Sequence, residues 1–212
     1  NIDRRSYTSE LRATSGSDEV RTLTGHAAVF NSPSEVLWGF REVILPGAFK
    51  DAIGRSDVRA LWNHNPDHVL GRTKSGTLRL SEDEAGLAIE IDVPDTQMGR
   101  DLLTSVERGD VAEMSFAFTV PPKGDRWYTD DSGMTIREII TVDRLYDVSP
   151  VAYPAYPDTD LSARTKEAFA EYRALQDAGG SAGPDGAEKA KREAEVAKRE
   201  RELRLKELEL GG

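Results

Sequence analysis

The sequence predicts a mixed α/β fold of the α+β kind, and three observations carry that prediction. Several short runs alternate apolar and polar residues with the period of half-buried strands. Two segments, 46–54 and 97–108, instead space their apolar residues as helix faces and end at glycines. From residue 162 onward apolar content thins, and the chain turns Gly-rich and then densely charged. With 212 residues, this is one ordinary domain plus an appendage.

Residues 1–19 are polar, with Thr14-Ser15-Gly16-Ser17-Asp18 as a turn, and read as a flexible N-terminal segment. Residues 20–30 read as one or two strands that stop at Asn31-Ser32-Pro33, with His26 inside the strand pattern. Pro46 near the start and Gly54 at the end bracket a short helix with Phe49 and Ile53 on one face. Val58, Ala60 and Trp62 then alternate as a strand. Pro66 biases Asn65 away from helix, so His64 falls at a strand end or a loop opening. Leu78 and Leu80, followed by Leu87, Ile89, Ile91 and Val93, form a hairpin around residues 81–86.

Asp95 or Thr96 caps a helix over 97–108, whose stripe is Met98, Leu102, Leu103 and Val106, with Gly109 as the stop. The next segment, GDVAEMSFAFTV (109–120), is the most informative in the chain. Met114, Phe116, Phe118 and Val120 occupy one face of a strand; Ser115, Ala117 and Thr119 leave the other uncrowded. Ser115 is therefore either a core-strand hydroxyl or one presented to a substrate. Residues 121–135 are loop-like, with Trp127 and Tyr128 as a hairpin arm or a cover over a cleft, and 136–148 return to strand character. A proline- and tyrosine-rich segment closes the domain, which spans 20–161. Residues 162–187 follow as a short helix and Gly-rich linker, and 188–212 as a charged helical tail.

Composition removes several function classes. Formal charge is -10, and residues 1–161 carry 27 acids against 17 bases, which disfavours direct nucleic-acid binding. There is no cysteine, hence no thiolate nucleophile or thiolate metal site. No stretch approaches 18 apolar residues, so no membrane partner is expected. His64 and His68 have i,i+4 spacing, but Pro66 opposes a helix there and no HExxH pattern exists. Phosphate-cradling glycine loops are also absent, and no cofactor or metal is expected. A serine hydrolase needs a hydroxyl, an imidazole in reach and a third group to orient it. Ser115, His64 and Asp147 all fall on strands or strand ends, without a GxSxG elbow.

Five segments, in order, resemble the prohead protease family of HK97-type tailed phages: GHAAVFN (25–31), REVILPGAFKDAI (41–53), ALWNHNPDHVLGR (60–72), GLAIEIDVPDTQMGRDLLTSVERGDVAEMSFAF (86–118) and LYDVSPVAYPAYPDTDL (145–161). The resemblance implies a herpesvirus-protease-like fold, a small, mainly antiparallel β-barrel with surrounding helices. It implies Ser115 as nucleophile and His64 as general base. For the third member it offers Asp147, where the family commonly has the longer glutamate; His26 is the second choice and His68 the third. Arg72 is implied as oxyanion or site support, balanced against a salt bridge on a strand, and Glu42 reads as structural. The implied function is a serine endopeptidase that cleaves the scaffolding segment of the major capsid protein, and itself, during prohead maturation. Its location would be the procapsid interior, assembled in the bacterial host cytoplasm, with self-association as a further expected contact. The competing class is a non-catalytic capsid scaffold or assembly chaperone of the same fold.

Overall fold

The structure, a computed structural model, describes residues 2–8, 11–15, 21–153 and 162–179. Its strands are β1 (Asp3–Thr8), β2 (Arg12–Ser15), β3 (Arg21–Val29), β4 (Phe40–Ile44), β5 (Arg59–Leu61), β6 (Val69–Arg72), β7 (Leu78–Glu82), β8 (Gly86–Val93), β9 (Glu113–Thr119), β10 (Asp125–Thr129), β11 (Thr135–Ile139) and β12 (Arg144–Val151). Its helices are α1 (Lys50–Arg55), α2 (Gln97–Glu107) and α3 (Ala163–Gly179). The chain divides into two compact units, 1–165 and 166–212. In the second, only the remainder of α3 is described. The linker and charged tail from residue 180 on lie outside the described residues, as does 154–161 of the closing segment.

The strands form three open sheets, ordered β1-β9-β12-β5-β6, β10-β11-β4 and β2-β3-β8-β7. This corrects the expected β-barrel. Closure requires the first and last strands of a sheet to hydrogen-bond, and here β1 and β6 remain opposite edges of the five-stranded sheet. Two pairings, β11 with β4 and β12 with β5, are parallel. A mixed α/β fold of packed open sheets replaces the barrel.

One apolar cluster joins the five- and four-stranded sheets to helices α1 and α2. Met114, Phe116 and Phe118 of β9 meet Leu23 of β3, Leu87, Ile89 and Ile91 of β8, Ala52 of α1, and Leu102, Leu103 and Val106 of α2. Phe116 stacks on Phe118 and meets Phe49 edge-on. The three-stranded sheet has its own small cluster, Val43, Leu45 and Ile136. Helix α2 begins as the sequence dictates: the Thr96 side chain accepts from Gly99 N–H, and Gly109 follows with φ +79°.

Strands β1 and β2 fall within residues 1–19, where polar composition predicts a flexible segment. Tyr7 stacks on Phe116, but the inward positions before it in β1 are Asp3 and Arg5, which bury charge instead of hydrocarbon. The Arg5 guanidinium bonds both oxygens of Glu42, at 2.8 and 3.0 Å. Arg137 reaches Glu42 at 2.8 Å and Asp125 at 2.7 Å. Asp3 accepts from the Ser162 N–H at 2.8 Å and from the Thr165 hydroxyl at 2.9 Å, which anchors the start of α3 on β1. Burial alone would raise the Asp3 carboxyl, but the charges of Arg5 and Arg137 and these hydrogen bonds hold it below its ordinary value of 3.8.

The two glycines Gly86 and Gly54 give opposite expectations. A Cβ at Gly86 would sit 1.9 Å from Ala28 O, beside the bulge in β3, whereas one at Gly54 meets nothing within 4 Å. Gly86→Ala is expected to destabilise by roughly 1–3 kcal/mol through forced backbone displacement. Gly54→Ala, inside α1, is expected to stabilise by about 0.5–1 kcal/mol. Urea midpoints measure both, and equal midpoints for the two variants would contradict the close approach. For Asp3 the depressed carboxyl contributes stability above pH 3.8 that is lost as pH falls through the folded-state value. Asp3→Asn is therefore less stable than the native chain at pH 7, with the gap narrowing on acidification below pH 3.8. A gap independent of pH in urea titrations would refute it.

Candidate active site

The site is built on two adjacent strands at the centre of the five-stranded sheet. Strand β12 runs antiparallel to β9, with Ser149 opposite Ser115 and Asp147 opposite Ala117. A bulge between Leu145 and Asp147 makes this possible. Leu145 stands opposite Phe118, so unbroken alternation would place Asp147 opposite Phe116, on the core face. The extra residue moves Asp147 to the face that carries Ser115. Ser149, two residues on, shares that face.

His64 reaches the same face from β5, the parallel neighbour of β12. Beyond Leu61 the chain turns sharply. Asn63 and His64 have φ +56° and +54°, and the Asn65 N–H bonds Trp62 O at 3.1 Å, the pattern of a type I′ turn. Asparagine suits the first left-handed position; the second usually takes glycine, and histidine there costs about 1–2 kcal/mol. Two hydrogen bonds hold the turn against β12: Asn63 N–H donates to Pro150 O, and Asn63 Oδ1 accepts from Ala152 N–H, each at 3.0 Å. A strained backbone held by specific bonds at a polar cluster is a mark of functional sites.

The result is a continuous hydrogen-bonded chain. His64 Nε2 lies 2.6 Å from Ser115 Oγ, and Nδ1 lies 2.5 Å from Asp147 Oδ1. A carboxylate only accepts, so Nδ1 carries the proton and Nε2 is free to accept from the serine hydroxyl. Ser149 Oγ donates to Asp147 Oδ1 at 2.8 Å. Ser115 is 1 % exposed and the His64 side chain 16 %, so the chain of groups is largely shielded from water while the imidazole keeps an edge to solvent. This arrangement can remove a proton from a hydroxyl and return it elsewhere.

Ser115, His64 and Asp147 are thus brought together, and the other expected residues are engaged elsewhere. His26, on β3, pairs through Nε2 with Asp83 at 2.8 Å. His68 packs beside Trp62, ring centroids 6.0 Å apart, and faces Asn65. Arg72 makes a two-point pair with Asp57, at 2.8 and 2.5 Å, which holds the Asp57 carboxyl down at about 2. Glu42 is buried between Arg5 and Arg137. Sequence reasoning passed over Asn63 and Ser149. An asparagine between a strand and Asn-Pro was a turn signal for the first. The i,i+2 spacing from Asp147 was a same-face signal for the second.

Residues 7–172 match the protein family described as Caudovirus prohead serine protease. Among solved structures, the chain is similar to the bacteriophage T4 capsid assembly protease, gp21, with a TM-score of 0.46 and 10% identity over 71% of this chain and 97% of that one. No curated protein matches the chain. Since the family match covers far more than half of its residues, the chain belongs to the Caudovirus prohead serine protease family.

Proposed function

We propose that this member of a serine protease family of prohead maturation uses Ser115 as nucleophile, His64 as general base and Asp147 as the group that orients the imidazole. The single observation that carries the assignment is the unbroken series Ser115 Oγ, His64 Nε2, His64 Nδ1 and Asp147 Oδ1, with contacts of 2.6 and 2.5 Å. In the first step His64 Nε2 takes the Ser115 proton as Oγ bonds to a peptide carbonyl carbon, giving a tetrahedral oxyanion. The imidazolium then gives that proton to the departing amine, the C–N bond breaks, and an acyl-Ser115 ester remains. Water, deprotonated by the same nitrogen, then attacks the ester carbon; the C–Oγ bond breaks, the imidazolium returns the proton to Ser115 Oγ, and the carboxylic acid product leaves. Asp147 stays ionised and stabilises the imidazolium in both halves of the reaction.

The finer substrate reading is the scaffolding segment of the major capsid protein, or a separate scaffold, together with the protease itself, acting inside the procapsid. Support comes from the family's role in the prohead. The acidic charge of residues 1–161 also suits a protein partner better than packaged nucleic acid. Arg72 has no part in this mechanism, because Asp57 engages its guanidinium.

Co-expression with the cognate capsid protein tests the proposal. The native chain should yield defined capsid-protein fragments by mass spectrometry, and Ser115→Ala none. Asp147→Asn should fall by about 10⁴-fold in cleavage rate through loss of the correct tautomer. Fragments of equal yield from Ser115→Ala would assign the cleavage to another group. Absence of fragments with every variant would favour a non-catalytic scaffold.

A further inference from the structure

The site contains a fourth polar group whose position gives it a task. Ser149 is fully buried, on a central strand, directly opposite Ser115 and two residues from Asp147. Its Oγ bonds Asp147 Oδ1 at 2.8 Å and lies 3.3 Å from His64 Nδ1. Among the described residues, Asp147 has two side-chain partners, His64 and Ser149, and both meet the same oxygen. The His64 Nδ1–H thus faces Asp147 Oδ1 as its near acceptor and Ser149 Oγ as a second, more distant one.

We propose that Ser149 is a positioning residue of the catalytic machinery, a donor that locks the Asp147 carboxylate against His64. The proposal rests on the triad reading given above. The physical need is specific. Strand pairing with Ala117 and Arg59 fixes the backbone of Asp147 next to the bulge, but the aspartate side chain still rotates about χ1 and χ2. A single bond to His64 leaves Oδ1 free to swing along an arc about the imidazole N–H as χ1 and χ2 turn. A second donor that meets the same oxygen from another direction, mounted on the rigid strand two residues away, holds Oδ1 at one point. The same hydroxyl presents a lone pair to Nδ1, which favours the tautomer with the proton on Nδ1 and leaves Nε2 to accept from Ser115. In a fully buried hydroxyl, this bond also offsets the desolvation that an unpartnered serine would suffer.

The test uses the full chain and a small probe, diisopropyl fluorophosphate, so it does not depend on the capsid substrate. The rate of diisopropylphosphorylation of Ser115, in which the Oγ–P bond forms and fluoride leaves, is read by mass spectrometry, and the low-field proton resonance of His64 Nδ1–H by NMR. Ser149→Ala is expected to slow phosphorylation about 10- to 100-fold, the scale of one hydrogen bond to a charged group. It is also expected to displace or broaden the Nδ1–H resonance. Ser149→Cys, which fills the site but donates weakly, should show the same losses with its urea midpoint near that of the native chain; it decides the matter if the alanine variant fails to fold. Native rates and an unmoved resonance in either folded variant would overturn the proposal and leave Ser149 as packing. Failure of the underlying triad reading looks different: the native chain would then be labelled at a residue other than Ser115, or Ser115→Ala would be labelled as fast as the native chain.

Discussion

The bulge between Leu145 and Asp147 decides which face of β12 a carboxylate occupies, and the polar cluster depends on that one departure from regular pairing. With strict alternation, Asp147 would point among Phe116, Phe118 and Leu145, where an unpaired charge is prohibitively costly. With the bulge it lies beside His64, two residues from Ser149 and across from the strand of Ser115. Everything else in the site follows from rigid neighbours: β9 supplies the hydroxyl, and β5 with its type I′ turn supplies the imidazole.

A second constraint, electrostatic in kind, fixes the edge of that sheet. Strand β1 covers β9 on the side away from β12, and two of its inward positions, Asp3 and Arg5, carry charge. Asp3, Arg5, Glu42 and Arg137 are all nearly inaccessible and connect β1, β4, β11 and the first residues of α3. Ion pairs this deep are weak sources of net stability, yet removing one partner strands the rest. The network therefore specifies where β1 lies. It makes the N-terminal strand part of the frame around Ser115.

The same physics explains what could be read from the chain in advance. Helix α2, the β7–β8 hairpin and strand β9 are legible because each buries a continuous apolar stripe at its own period. Strand β1 is not, since its inward Asp3 and Arg5 mimic a solvated segment; only the three-dimensional cluster reveals their partners. The expected barrel came from a family resemblance, and no local pattern in the sequence distinguishes a closed sheet from several open ones. Within the site, strand periodicity showed that Ser115 lies opposite a phenylalanine face, but by itself favoured a core serine over a nucleophile. The choice of His64 and Asp147 came through the resemblance. Nothing in the spacing from Leu145 to Asp147 announces a bulge, so the face of Asp147 was illegible, as was the pairing of His26 with Asp83.

The central claim is that one serine, made nucleophilic by His64, performs the chemistry. Its most direct measurement is the stoichiometry and location of covalent labelling by a fluorophosphonate, mapped by peptide mass spectrometry in the native chain and in His64→Ala. The account predicts one label per chain, on Ser115, and its near-complete loss when the imidazole is removed. Labelling at another residue, or undiminished labelling of Ser115 without His64, would contradict it.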